Sequence, residues 1–98
     1  MKKVLDTIQV PHQLSTYIES LGYEVEARKS LITFAMEKGL TETEAFKVYH
    51  NEYREFFMKF EIAKQDLYDK YIREKWDGKN VEWHLHYSTA IIEITKEE

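Results

Sequence analysis

The chain has 98 residues, with fourteen Lys and Arg against eighteen Asp and Glu and a formal charge of −4, which makes one small domain with a modest core. That acidic balance speaks against nucleic-acid binding, which needs a basic stripe to displace counterions from phosphate. With no Cys, disulfides, thiolate metal sites and cysteine nucleophiles are excluded together, and a cytoplasmic setting is the simplest expectation.

Residues 1–10 can be read two ways. Val4, Ile8 and Val10 would line one face of a short strand, while Val4, Leu5 and Ile8 suit one side of a short helix. Asp6, Thr7 and Gln9 interrupt this stretch, so it fails as a signal-peptide core. No apolar run approaches the ~18 residues that cross a bilayer, and no membrane partner is expected.

Pro11 fits the start of a helix, where its missing N–H costs nothing. That helix is predicted over about 12–38. Gly22 inside it costs roughly 1 kcal/mol against Ala, which points to a kink or to close approach of a partner. Gly39 is the expected left-handed stop. Thr41 to Glu44 then has the form of a capping box, with Leu40 and Ala45 at the hydrophobic-staple positions. The second helix is predicted over about 42–76, closed by Asp77-Gly78-Lys79-Asn80.

Beyond it the apolar period changes to two. Val81, Trp83, Leu85 and Tyr87 alternate with Glu82, His84 and His86, and a second run places Ala90, Ile92 and Ile94 on one face. This reads as a β-hairpin, about 81–87 and 90–95, joined at Ser88–Thr89. A lone hairpin is marginal in water. It must lie on the helices, pair with the N-terminal segment or join another sheet.

The two predicted helices carry matching seams. One runs Leu14, Ile18, Leu21, Val25, Arg28, Ile32, Ala35, and the other Phe46, Tyr49, Tyr53, Phe56, Phe60, Ala63, Leu67. Folded back at Gly39, they set Ala35 against Phe46, Val25 against Phe56 and Leu21 against Phe60, large beside small. Arg28 is the charged rung, placed against Tyr53 with Glu52 and Glu55 nearby as a register-setting cation–π contact or ion pair. The fold expected is α+β and mainly α. It is a single domain with a long coiled-coil-like antiparallel helical hairpin at 12–76, a C-terminal β-hairpin at 81–95 and an N-terminal arm or strand at 1–10.

A second apolar set lies off the seams: Tyr17, Leu31 and Phe34, then Phe57, Ile62, Tyr68, Tyr71, Ile72 and Trp76. Uncovered apolar surface on this scale marks an interface. A Gly22 break that folds the helices into three is the competing arrangement, a compact monomer.

Chemistry finds little footing. His84 and His86, two apart on one strand face, have a spacing that metal sites use, but no third ligand is fixed beside them. Ser88 and Thr89 lie near His86 only in sequence, and adjacency is not a triad. No Gly-rich phosphate loop occurs, and neither cofactor nor catalysis is expected. The expectation is a non-catalytic structural or assembly protein acting through apolar helix faces and sheet edges. Its partner is protein: other copies of itself, or a larger assembly such as a phage virion. A small regulatory adaptor or inhibitor of another protein is the alternative, and a His-based metal binder the third reading.

Overall fold

Two long helices dominate the computed structural model, which describes residues 1–97. In chain order the elements are β1 (Lys2–Gln9), α1 (His12–Glu37), α2 (Glu44–Tyr71), α3 (Arg73–Trp76), β2 (Glu82–His86) and β3 (Ile91–Glu97). The helices α1 and α2 form a hairpin and the C-terminal strands a β-hairpin, so the fold is α+β and mainly helical. By compactness the chain divides into two units, Met1–Glu19 with Lys64–Glu98, and Ser20–Ala63.

In the first unit the sheet order is β1-β3-β2, antiparallel throughout. The N-terminal segment is a strand because β3 supplies its partner: Ile8 lies opposite Ile92 and Asp6 opposite Ile94. Leu85 and Trp83 flank the same two isoleucines from β2. Residues opposite one another share a face, so this face gathers the apolar side chains, and Ile92 and Ile94 are fully buried. A β-bulge between Val4 and Asp6 leaves Leu5 outside the register.

The turn between β2 and β3 is anchored by Ala90 and by the hydroxyl of Ser15. Ala90, buried and at φ +57°, donates its N–H to the His86 carbonyl at 2.8 Å and accepts from Val10 N–H at 2.9 Å. It belongs to the turn, and β3 starts one residue later than its apolar pattern implies. The fully buried Ser15 hydroxyl donates to the Tyr87 carbonyl at 2.9 Å, tying the first turn of α1 to the same turn.

The second helix is shorter than its sequence pattern implies. It ends at Tyr71, and Ile72, at φ −113°, separates it from the single turn α3. The ladder bridges the step: Ile72 N–H donates to Tyr68, and Trp76 N–H to Ile72, both at 2.9 Å. Burial of the Ile72 side chain accompanies the distortion. Tyr68 Oη then ties off the end by donating to Asp77 Oδ1 at 2.7 Å.

In the second unit, Ser20–Ala63, the buried hydrophobic residues Leu21, Val25, Ala35 and Ala63 all lie on the seams, whose other members are half-buried. Gly39, at φ +70°, ends α1 in a Schellman arrangement, with Leu40 N–H donating to Ala35 and Gly39 N–H to Met36. The cap of α2 is Thr43, not Thr41. Its Oγ1 accepts from Phe46 N–H at 3.2 Å and donates to the Leu40 carbonyl at 2.8 Å. With the cap moved two residues, Leu40 and Ala45 leave the staple positions, and both are exposed.

Arg28 is half-buried and held from three sides. It pairs with Glu24 and, at 3.2 Å, with Glu52, and its guanidinium lies 4.7 Å from the centroid of Phe56. The ring it meets is therefore Phe56, in place of the expected Tyr53, which stacks on Phe57 at 5.9 Å. Glu55 is taken up by Lys59 at 3.5 Å.

Gly22 interrupts nothing, because α1 runs through it without a break. A Cβ added there would meet only Phe60 carbons at 3.5 Å, an ordinary contact. The Gly22→Ala variant is thus expected to gain helix propensity without a clash. We expect about 0.5–1 kcal/mol of added stability in urea unfolding; a loss would show that the contact is tighter than it looks.

Ser15→Ala leaves the Tyr87 carbonyl without its donor and should cost about 1–2 kcal/mol by the same measurement. Tyr87 makes a second prediction. Burial first, and the charge of Glu19 second, raise its phenol above the ordinary value of 10.0. The unfolded chain then releases this proton before the folded one does. Its contribution to stability is complete below pH 10 and is lost as pH rises through the folded-state value. Tyr87→Phe should therefore lose less stability than wild type between pH 9 and pH 11, read as unfolding midpoints.

Candidate interaction surface

Neither unit buries all of its large apolar side chains, but the shortfall is uneven. Of the twelve buried hydrophobic residues among those described, eight lie in the sheet-bearing unit and four in Ser20–Ala63. The exposed large hydrophobics divide the other way, nine of thirteen falling in Ser20–Ala63. This unit is thus poor in core and rich in uncovered apolar surface.

The helices differ in how they carry that surface. α2 is the more one-sided of the two, with its polar residues opposite the seam, whereas α1 is more apolar overall and less segregated. Off its seam, α1 carries Tyr23, Ala27, Leu31 and Phe34 at spacings of four, four and three, which places them along one stripe. Tyr23 is 69% exposed, Leu31 40% and Phe34 55%. On α2, Phe57 and Ile62 are exposed as well, with charged neighbours at Glu55, Lys59 and Glu61.

Of the residues singled out by the sequence pattern, Tyr17, Leu31, Phe34, Phe57 and Ile62 are exposed. Tyr68, Tyr71 and Trp76 are half-buried. Ile72 is a correction: at 1% exposure it is buried and offers nothing to a partner. Tyr23, Met36, Val48 and Met58 are exposed members that the pattern did not single out. Tyr23 could have been found from its spacing to Ala27, Leu31 and Phe34.

Around Trp76, Lys75 Nζ and Lys79 Nζ lie 5.2 and 5.4 Å from the ring, and Lys75 also reaches Asp6 at 3.3 Å. The Trp76 ring in α3 thus has two ammonium groups of its own chain over it. A shallow recess of about 360 Å³ is lined by Thr41, Phe46, Lys47, His50 and Asn51. It opens widely to solvent, and the His50 ring lies 6.1 Å from that of Phe46.

The histidine pair lies on the sheet face opposite Ile92 and Ile94. His84 and His86 meet edge to face with centroids 4.7 Å apart. His84 is opposite Glu93 in register, and His86 Nε2 stands 3.4 Å from Glu93 Oε2 without a hydrogen bond. Among the described residues, no group of three or more His, Asp or Glu side chains is placed to hold a metal ion. No helix among them is long and apolar enough to cross a membrane.

The outer strands of the sheet are β1 on one side and β2 on the other. The β1 edge carries the Leu5 bulge together with Lys2, Lys3 and Asp6. The β2 edge is five residues long and begins with Glu82, which accepts from Lys2 Nζ at 2.6 Å. Bulges, charges and short length are what keep edges from pairing with other chains.

Compared with protein-family models, with characterised proteins and with solved structures, the chain finds no match.

Proposed function

We propose that this chain is a non-catalytic assembly protein that works by presenting apolar helix surface to other protein chains. The observation that carries the reading is the imbalance within Ser20–Ala63, where four small or medium side chains are buried while Tyr23, Leu31, Phe34, Phe57 and Ile62 stay exposed. Exposed aromatic and aliphatic side chains lose the stabilisation that removal from water gives, about 25 cal/mol per Å². A protein partner restores it. Interface cores are built from such aromatic and aliphatic side chains.

Enzymatic readings have less to stand on. The sequence offers no nucleophile elbow and no phosphate-cradling Gly loop on which such a reading would stand. The regulatory-adaptor alternative uses the same surface with a different occupant, and the native mass separates the two.

Static light scattering on the purified chain should give a mass above the 11.8 kDa of one copy. Phe34→Glu should bring that mass down while far-UV circular dichroism keeps its helical signal. Phe57→Glu tests the α2 side of the surface in the same way. A wild-type protein that stays at the single-copy mass into the high micromolar range defeats self-assembly and leaves the adaptor reading.

A further inference from the structure

We infer that the α1 stripe Tyr23, Ala27, Leu31 and Phe34 is a two-fold contact in which α1 of one copy packs antiparallel on α1 of a second. This rests on the assembly reading above and adds to it the partner and the register. The first support is the character of α1. A helix with one apolar side needs one neighbour, and a helix apolar on two sides needs two. In Ser20–Ala63, α2 covers the side holding Leu21 and Val25, and the side holding Tyr23, Leu31 and Phe34 remains open.

The second support is that the stripe complements itself. Run antiparallel about a point near residue 29, it sets Tyr23 against Phe34 and the small Ala27 against Leu31, and each contact occurs twice by symmetry. Large beside small is what lets two helices reach the 8–10 Å separation of packed axes. Ser30, next to Leu31 and also small, leaves room at the centre. No charged residue occupies the stripe between Tyr23 and Phe34, and at its end Lys38 Nζ lies 5.8 Å from the Phe34 ring. The exposed side of α2 lacks this property, since Glu55, Lys59 and Glu61 interleave with its apolar residues.

Area decides how strong the contact is. At ~200 Å² for a whole aromatic side chain, Tyr23, Leu31 and Phe34 offer roughly 300 Å² per copy. A standard stable interface covers ~800 Å² per partner. The α1 pair by itself is therefore a reversible dimer whose population rises with concentration.

The chain has no cysteine, so one introduced thiol reports its own surroundings. Ala27→Cys, treated with a short bis-maleimide at a concentration where light scattering shows two copies, should give a covalent dimer in high yield. Ile62→Cys on α2 should not. Leu31→Glu, with its helical signal retained, should abolish both the dimer mass and the Ala27→Cys cross-link. A protein that self-associates but cross-links through Ile62→Cys and not Ala27→Cys overturns this contact and leaves the assembly reading in place. A protein that never exceeds one copy overturns both.

Discussion

A helix in water is held less by its own propensity than by the surface it buries, and a 26-residue helix such as α1 needs a neighbour wherever it is apolar. On its seam side α1 has one: Leu21 and Val25 are buried, and the Phe60 ring packs at van der Waals distance from the position a Gly22 side chain would take. Arg28 sets the alignment there. Its charge has to be met by Glu24 and Glu52 while its flat face lies on Phe56. A half-buried guanidinium with these fixed partners tolerates a slipped register poorly, because a slip would leave it desolvated and unpaired. The same helix has no comparable neighbour on the side of Leu31 and Phe34. Ordering α1 and leaving Tyr23, Leu31 and Phe34 in water are conflicting demands, which the proposed association would resolve.

Long-range pattern made the helices legible in the sequence, and local competition hid their ends. The seams survive because a three-four spacing sustained over many turns is hard to produce by chance. Leu21, Val25, Ala35 and Ala63 are buried where that spacing puts them. Caps depend on which of several adjacent hydroxyls the chain reaches first. Thr41 and Thr43 both suit the role, and the backbone turn at Leu40 selects Thr43 by offering its carbonyl to the same hydroxyl. Arg28 is a similar case, since a long side chain can meet a ring one turn away from its nominal partner. Ile72 looked like one more apolar residue in a continuous helix. Its burial is tertiary information, which the periodicity of a single helix does not contain.

The sheet shows the complementary lesson. Residues 1–10 were ambiguous because strand and helix both suited Val4 and Ile8, and only the neighbouring strand decides. Once β3 lies beside them, Ile8 opposite Ile92 fixes the face, and the bulge at Leu5 absorbs the mismatch in pattern toward the terminus. Ser15 was invisible for another reason. A buried hydroxyl that donates to a carbonyl more than seventy residues away resembles any polar residue early in a helix. Ala90 gives no sign of its left-handed backbone either, since Gly or Asn would be the expected residue there.

Which surface then carries association, the helices or the sheet? An open strand edge is a template that any extended chain can extend, so its guards are informative. β1 has a bulge in mid-strand and charged residues on both sides of it, and β2 is short and begins with a glutamate engaged by Lys2. The face beside them is mixed, with His84, His86, Glu93 and Thr7 next to Ile91 and the exposed Val4. No equivalent guards lie on α1: between Tyr23 and Phe34 its exposed stripe contains neither a charge nor a proline. Surface features that suppress pairing are thus denser on the sheet than on the helix, where Lys38 Nζ, 5.8 Å from the Phe34 ring, borders one end of the stripe. That difference is what favours the proposed contact through α1 over one through the sheet edges.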